Sequence, residues 1–475
     1  MSTAALQSAC PSSAALTRSL AIFLLLNALL LNGALWLASP SGYKETVLNH
    51  TVDVLRGNGS DDSWGAMAAA LEHFESREPT PIYSDVFFGA KIKFQYPPSS
   101  LFALMAMRWI APDRVRMTDA DIYPWPTIND TLGWLFIVLT AAATAALLEK
   151  RLFRFCGRDD RRVLVAARIA LVAGFTLTFY PVVKAFSLGQ IQVWINGLFA
   201  LALLCWVAGR HAGAGVLMGA VCLIKPHYAL FVLWALLRRQ WSFAFACGAT
   251  GLVGLIASVA VFGWVNHLDY LPVLSHLAER GEAYYPNHSI NGLLNRLMAI
   301  GEPHLYNNLD WGDGAFPPFN RLVYWTTTIS SAAILILALA RRNRDNDPGR
   351  VVDFCTMAVS CTVASPIAWE HHYGVLLPVF ALVLVNALRH RAWLPWLIAS
   401  YILASNYFIQ THFLAPTVWN VGQSYLLFAT WILLALLHLR PPPPLAAPWA
   451  NSGPRTEPRY TASHSGPPPL VPSQA

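Results

Sequence analysis

Three ionisable side chains stand together between two apolar stretches of the chain. Glu370, His371 and His372 follow the sequence Ser-Pro-Ile-Ala-Trp, in which the proline interrupts helical structure. A charge inside a membrane is costly, about 2.5–3.5 kcal/mol at the centre of a spanning helix. Neutral imidazole could hydrogen-bond a substrate and imidazolium could stabilise a phosphate leaving group, although satisfied interfacial histidines are the alternative. The cluster predicts a site for a polar substrate at membrane depth.

Two adjacent carboxylates, Asp61 and Asp62, precede an amphipathic run in the long polar segment 39–130. One reading is that they cap a helix on the membrane surface, since Asp is a favoured N-cap residue. The other is that one of them is a general base that deprotonates an attacking hydroxyl. Both readings stay open at this point. No third oxygen ligand accompanies the pair, so neither a metal site nor a cofactor is predicted.

Other polar side chains in the segments between apolar stretches could bind a substrate. Lys225 stands before Pro226 in an apolar setting and needs either a structural ion-pair partner or a phosphate. The segment 287–296 is dense in hydrogen-bonding side chains, as a loop turn or a sugar site would be. Lys184 could equally be an interfacial anchor. The candidate substrate-binding residues are Tyr83, Tyr96, Lys184, Gln190, Lys225, Asn287, Ser289, Asn291, Arg296 and Glu370.

The composition indicates which elements must position these residues. Of the 475 residues, 55% are hydrophobic and only 12% are charged, whereas soluble domains carry about 25% charged residues. The net charge of +7 arises largely from basic residues in short loops, as the positive-inside rule predicts, and not from a nucleic-acid surface. We expect one integral membrane domain over residues 1–440, followed by a disordered, Pro-rich cytoplasmic tail over 441–475.

Apolar segments of about 20 residues predict an all-α, multi-pass membrane protein with about twelve transmembrane helices. The expected spans are 18–38, 131–148, 163–182, 190–208, a short hairpin over 212–237, 242–265, 321–340, 351–367, 373–388, 394–411 and 420–438. Twelve crossings place every basic loop in the cytoplasm, provided that the segment 97–110 does not cross. The candidate residues then face the extracytoplasmic side of the plasma membrane.

Taken in order along the chain, the motifs resemble glycosyltransferase family 87, membrane transferases with a GT-C type of fold. The matching features are the early acid, Tyr96-Pro97-Pro98, Gly189-Gln190, Lys225-Pro226, Asn287-His288-Ser289 with Gly292 and Arg296, and Ser365 to His372. They cover roughly residues 60 to 380. The sequence after Asp62, Ser-Trp-Gly-Ala, departs from the Asp-x-x-Val-Tyr pattern that is usual in the family.

The resemblance implies transfer of a hexose, typically mannose, from a polyprenyl-phosphate sugar to a lipid-linked or envelope glycan acceptor. A single displacement would invert C1 and give an α-linked product from a β-linked donor. In similar enzymes the early aspartate is the presumed base, a role that falls to Asp62 here. The 287–296 loop and Gln190 would orient the sugars. The candidates for stabilising the lipid phosphate are Lys225, Arg296, His371 and His372.

Two other classes of membrane protein remain as alternatives. A transporter or flippase of lipid-linked sugars could also have about twelve spans, but repeated halves with interrupted helices are expected of it. A membrane acyltransferase would use an embedded histidine, yet it would not explain the paired acids in the long first loop or the hairpin that carries Lys225.

Overall fold

The computed structural model describes residues 12–112, 127–153, 156, 161–299, 316–341 and 347–439. Within these ranges nearly all regular structure is helical, and the one β-type pairing is an antiparallel bridge between Asn287 and Trp369. The tail 441–475 lies outside the described residues. Helix formation follows from the composition. Long runs of Leu, Ala and Val favour the lipid interior, where an α-helix pairs every backbone N–H and C=O group within the same segment.

The described ranges contain seventeen longer helices, besides four short 3₁₀ or π-helical segments. They are α1 Ser13–Ala38, α2 Val47–Arg56, α3 Asp62–Glu75, α4 Leu101–Ile110, α5 Ile128–Phe153, α6 Arg162–Leu177, α7 Tyr180–Ser187, α8 Gln192–Val207, α9 His211–Ile224, α10 Pro226–Leu237, α11 Trp241–Arg280, α12 Ile290–Met298, α13 Arg321–Ala340, α14 Asp347–Val363, α15 Glu370–Arg389, α16 Leu394–Ser405 and α17 Val418–His438.

Six of these helices are long and apolar enough to cross a membrane, namely α1, α5, α11, α13, α15 and α17. The pair α6 and α7 adds a seventh span if it is counted as one helix bent by 62°. The prediction of an all-α, multi-pass membrane protein is therefore confirmed. Helices lie at every predicted segment, but several are shorter than about 20 residues, and the count of about twelve crossings stays a prediction.

Two predicted boundaries differ from the observed ones. The span expected over 242–265 ends at a kink, because Gly263 has non-helical backbone angles (φ +79°, ψ 155°), and a second helix continues from there to Arg280. The span expected over 163–182 breaks near Phe179, where Pro181 opens the new helix α7. At both breaks the chain turns toward the long first loop. Helix α4, with ten residues, is too short to cross.

Close packing fixes the hairpin formed by α9 and α10. On α9, a Cβ atom added at Gly215 would lie 2.5 Å from the Phe243 carbonyl oxygen, and one at Gly219 would lie 2.6 Å from Thr250. Such small residues let membrane helices approach closely. At the far end of the hairpin, Arg238 pairs with Asp353 at 2.7 Å and donates to carbonyls at the end of α13. These contacts hold the open end and the middle of the hairpin, opposite the tip at Lys225.

Candidate active site

One cavity of about 620 Å³ is lined by six of the fourteen candidate residues. Its polar lining comes from loops and helix ends, and its apolar lining comes from the helices α10, α11, α13 and α14. The polar residues are Asp62, Lys93, Gln95, Tyr96, Gln190, Lys225, His227, Tyr270, Ser365, Trp369, His371 and His372. The apolar wall includes Leu230, Leu274, Leu277, Leu335 and Cys361. The cavity thus has a polar side next to an apolar side.

Asp62 is held at the start of α3 by the turn that follows α7. Its backbone N–H donates to the Leu188 carbonyl at 3.1 Å, and the Ser60 N–H donates to the Ser187 carbonyl at 2.9 Å. The side-chain amide of Gln190 donates to the Asp62 carboxylate. Backbone and side chain together therefore fix where the carboxylate points.

Gln190 joins Asp62 to two hydroxyl groups. Its side-chain oxygen accepts hydrogen bonds from Ser63 at 2.7 Å and from Tyr96 at 3.0 Å. The backbone N–H of Ile191 also donates to Ser63, at 3.2 Å. The amide of Gln190 is consequently locked in one orientation, with its NH₂ group toward the carboxylate.

The surroundings of Asp62 favour a base of raised strength. The protein around the cavity desolvates this carboxylate and raises its pKa above the ordinary value, even though the side chain faces the open cavity. The hydrogen bond from Gln190 and the positive charge of Lys93 partly oppose that rise. Asp61 occupies the N-cap position of α3, forms no side-chain capping bond there and does not line the cavity.

Lys225 lies at the tip of the hairpin, half-buried between α9 and α10. Its ammonium group donates to the side-chain oxygen of Gln192 at 2.7 Å, and the Gln192 amide donates to Asn196 at 2.9 Å. An anion in the cavity would stabilise the charged form, because the partner that the lysine has in the protein is a neutral amide.

The two adjacent histidines line the cavity beside Lys225. Their ring centroids lie 4.6 Å apart, and the His371 ring is 5.7 Å from that of Trp369. His371 is 2% exposed, and its Nδ1 atom has no hydrogen-bond partner among the described residues. His227, a cavity residue that the sequence reasoning missed, adds a third imidazole.

Asn287 and Ser289 lie outside the cavity and hold its wall together. The Asn287 amide donates to the carbonyls of Glu282 at 2.8 Å and Pro366 at 3.2 Å, and its oxygen accepts from the Ala368 N–H at 3.0 Å. Ser289 donates to the Pro366 carbonyl at 2.7 Å and caps α12. These bonds join the loop before α12 to the segment that leads into His371 and His372.

Arg296 and Asn291 are fully buried on α12. Arg296 donates to the backbone carbonyls of Tyr284 at 3.2 Å and Asn287 at 2.9 Å, and to the hydroxyl of Ser424 at 2.5 Å. Asn291 accepts from the Glu282 N–H at 3.2 Å. Both side chains therefore support the loop from behind, and neither lines the cavity.

Three other candidates lie near the cavity without lining it. Tyr83 is fully buried and donates to the Tyr96 carbonyl at 2.6 Å, which places it behind a cavity residue. Glu370 is 1% exposed and lies 3.8 Å from the His288 ring nitrogen. Lys184, on α7, is half-buried, with its ammonium group 5.9 Å from the Tyr407 ring centroid.

An ion pair that the sequence reasoning missed borders the cavity. Lys93 lies 3.2 Å from Glu282, which is fully buried, and the Trp369 indole N–H donates to the same carboxylate at 2.5 Å. The position of Lys93 close to the Tyr-Pro-Pro motif could have drawn attention to it. Within the described ranges, no three His, Cys, Asp or Glu side chains converge as a metal site would require.

Comparison with known proteins identifies the family of this chain. The model of glycosyltransferase family 87 matches residues 94–366, more than half of the sequence. Three relatives are similar. A polyprenol-phosphate-mannose-dependent α-(1-2)-phosphatidylinositol mannoside mannosyltransferase of Mycolicibacterium smegmatis is 25% identical over 352 residues, which cover 67% of this chain and 69% of the relative. A protein of the same description from Mycobacterium tuberculosis is 25% identical over 318 residues, 64% of each chain.

A third relative, from Mycolicibacterium smegmatis, is a polyprenol-phosphate-mannose-dependent α-(1-2)-phosphatidylinositol pentamannoside mannosyltransferase. It is 27% identical over 256 residues, 52% of this chain and 56% of the relative. No solved structure matches the chain. The family match confirms the resemblance seen in the ordered motifs, and it agrees with a set of membrane-spanning helices around a polar cavity. The chain belongs to glycosyltransferase family 87 and is a multi-pass membrane glycosyltransferase.

Proposed function

We propose that the protein transfers mannose from a polyprenyl-phosphate mannose donor to a glycolipid acceptor of the phosphatidylinositol mannoside type. The observation that carries the proposal is the single cavity that holds Asp62 together with Lys225, His371 and His372 beside an apolar wall. The donor and acceptor are those that the names of the relatives state for those proteins.

Asp62 acts as the base in this mechanism. An acceptor hydroxyl attacks C1 of the donor sugar and gives its proton to the Asp62 carboxylate as the new C–O bond forms. Gln190 orients that carboxylate through its side-chain amide. Inversion at C1 converts a β-linked donor into an α-linked product. Tyr96 and Ser63, both bonded to Gln190, keep the amide from rotating away.

The cationic and imidazole side chains stabilise the leaving group. The bond between C1 and the phosphate oxygen breaks with its electron pair on the phosphate, so polyprenyl phosphate departs as an anion. Lys225 places a positive charge in the cavity, and His371 and His372, which line it beside Lys225, can donate hydrogen bonds to the phosphate. No general acid is needed, because the phosphate leaves without protonation.

The apolar wall suits the polyprenyl chain. Leu230, Leu274 and Leu335 come from three different helices and line the same cavity as Lys225. A chain of isoprene units lying along them would extend away from the phosphate toward the membrane.

The cavity is proposed to face the extracytoplasmic side of the plasma membrane. The basic residues Arg210, Arg238 and Arg239 lie at helix ends remote from the Lys225 tip, as the positive-inside rule predicts for a cytoplasmic face. We further propose that residues 1–440 form one membrane domain and that 441–475 are a cytoplasmic tail.

The Lys225→Ala variant should bind the donor about 10- to 100-fold more weakly, because a charge-assisted hydrogen bond contributes about 1.5–3 kcal/mol. The measurement is the dissociation constant of polyprenyl-phosphate mannose for the purified protein. Lys44→Ala is a matched control, since Lys44 is also half-buried but lies over the Trp36 ring at 4.0 Å, away from the cavity. Unchanged donor affinity in Lys225→Ala would assign this lysine a purely structural role.

The Gly189→Ala variant should slow transfer about 100-fold, a cost typical of misplacing a reacting group by about 1 Å. Gly189 has a φ of +64°, and a Cβ atom there would lie 1.8 Å from the Ser60 carbonyl oxygen, next to Asp62. Gly209→Ala provides the control, because Gly209 has a φ of +77° with nothing within 4 Å. If Gly189→Ala transferred sugar as fast as Gly209→Ala does, the close contact with the Ser60 carbonyl would have no effect on the reaction.

An assay with a labelled donor tests the reaction itself. Purified protein is incubated with polyprenyl-phosphate mannose, labelled in the sugar, and a phosphatidylinositol mannoside. The expected products are a labelled glycolipid and free polyprenyl phosphate in equal amounts. A transporter would leave the donor intact, and an acyltransferase would leave its sugar–phosphate bond unbroken, so either result would refute the proposed function.

A further inference from the structure

A separate pocket of about 260 Å³ lies at the other end of α15 from the cavity. Helix α15 begins with the segment that carries His371 and His372 and ends at Arg389, which lines the pocket. At about 1.5 Å per residue, Arg389 is on the order of 25 Å along the helix from those histidines. The ends of α5 and α17 and the start of α14 complete the pocket. All four helices therefore reach the same membrane boundary there.

The lining of this pocket is basic on one side and apolar on the other. Lys150 and Arg151 lie on the last turn of α5, and Arg389 faces them from α15. Asn386 adds an amide group, and the remaining lining is apolar, with no carboxylate among the lining residues. The residues of the apolar wall include Val352, Cys355, Val383 and Leu437.

The two acids closest in sequence to the lining are engaged elsewhere. Glu149, on the same turn as Lys150, lies 3.0 Å from Arg168 on α6. Asp353, on α14, lies 2.7 Å from Arg238 at the end of the hairpin. Arg151 donates to the Val207 carbonyl at 3.5 Å and lines the pocket together with Arg389, which comes from a different helix. An anion in the pocket would interact favourably with both guanidinium groups.

The local backbone is also unusual at this point. The segment Glu149–Phe153 is a π-helical turn that ends an otherwise regular α-helix. It is one of three π-helical segments in the described ranges, and such segments frequently occur at functional sites. Here the turn carries two of the three basic residues of the pocket.

We propose that this pocket binds the phosphate head group of an anionic glycerophospholipid, whose glycerol and upper acyl chains contact the apolar wall. Basic pockets between transmembrane helices are suited to anionic lipid head groups, and the mixed lining fits a lipid better than a fully hydrated ion. The bound lipid would link α5, α14 and α15, and would therefore stabilise the helix that carries His371 and His372. This inference does not depend on the sugar or the acceptor.

The test is lipid binding to the full-length purified protein in a non-ionic detergent, followed by native mass spectrometry. The probes are dioleoyl phosphatidylglycerol, which is anionic, dioleoyl phosphatidylcholine, which is zwitterionic, and inorganic phosphate. We expect phosphatidylglycerol to bind at least about tenfold more tightly than phosphatidylcholine. The Arg151→Gln/Arg389→Gln variant should lose about 10- to 100-fold in affinity for phosphatidylglycerol, as expected when charge-assisted contacts are removed.

The matched control is Arg210→Gln/Arg239→Gln, which removes two exposed basic residues outside the pocket. This control should bind phosphatidylglycerol as the unmodified protein does. Lys150→Gln, at an exposed position, provides a milder variant and should weaken binding even if the double variant does not fold. An equal loss in the control would show a general effect of surface charge and would overturn the proposal.

Two further outcomes would also overturn the proposal. Binding of both lipids with equal affinity would show that the head-group charge is not recognised. Displacement of phosphatidylglycerol by millimolar inorganic phosphate would identify a free phosphate, not a lipid, as the ligand. Persistence of lipid binding in the presence of phosphate, together with its loss in the pocket variants, is the result that the proposal requires.

Discussion

The Asp62→Asn variant should transfer sugar about 10²- to 10⁴-fold more slowly than the unmodified enzyme, the usual contribution of a general base. Asparagine keeps the size of the side chain and can still pair with Gln190, but it cannot accept the proton of the acceptor. The measurement is kcat for mannosyl transfer, with the thermal unfolding temperature followed in parallel. Folding should change little, because the side chain faces the cavity.

Asp61→Asn is the matched control for this prediction. Asp61 is half-buried at the N-cap position of α3 and does not line the cavity, so its neutralisation should be mild. If Asp61→Asn abolished transfer while Asp62→Asn left it near normal, the role of base would move to Asp61. Activity in both variants would contradict the whole mechanism based on the first loop.

The pH dependence of the rate reports on the same carboxylate. A base must be ionised to accept a proton, so kcat/KM should fall as the pH falls through the pKa of Asp62 in the free enzyme. Desolvation raises that pKa, and the acidic limb should therefore lie above the ordinary value for aspartate, about 3.9. The residual activity of Asp62→Asn should lack this limb. A limb at the ordinary value would show that water solvates the carboxylate fully.

The second large effect is expected from Asn287→Ala, and it is an effect on stability. The Asn287 side chain forms four buried hydrogen bonds, to the carbonyls of Glu282 and Pro366 and from the N–H groups of Ala368 and Ser289. At about 1 kcal/mol for each bond, the loss is on the order of 4 kcal/mol. The protein should unfold at a markedly lower temperature in detergent.

Asn58→Ala is the control for this stability effect, because Asn58 is exposed in the first loop. Any folded Asn287→Ala protein should also bind donor poorly, since the bonds of Asn287 position the segment that leads into His371. If the variant kept its unfolding temperature but lost sugar binding, Asn287 would be a substrate ligand, as the sequence reading allows. Normal stability together with normal binding would contradict both roles.

Much of the site could be predicted from sequence, because charged and strongly polar side chains carry a high free-energy cost in an apolar chain and are easy to recognise there. Asp62, Gln190, Lys225 and the two histidines each interrupt or border an apolar stretch, and the structure brings all of them to one cavity. Their common location follows from the alternation of spans, which returns every second loop to the same face. That rule depends on the order of the segments and not on detailed packing.

The remaining parts of the site could not be predicted, for two physical reasons. Lys93 and Glu282 form a pair across 189 residues of sequence, and no local pattern reports such a contact. The segment 287–296 has the donors and acceptors that either a sugar or a buried backbone would require. Only the positions of carbonyl groups, such as those of Pro366 and Tyr284, show that Asn287, Ser289 and Arg296 bond to the protein itself.

The short hairpin that carries Lys225 makes the protein sensitive to the thickness of its membrane. Helix α9 has 14 residues and is about 21 Å long, while the hydrocarbon layer is about 30 Å thick. In the proposed topology the basic end lies at one surface, so the tip lies several ångströms below the opposite head groups. In the proposed mechanism the donor phosphate would descend to meet Lys225, and the released lipid phosphate would rise again. A thicker bilayer increases this hydrophobic mismatch and therefore lengthens both movements. The turnover rate of the enzyme is expected to depend on the acyl length of the surrounding lipids.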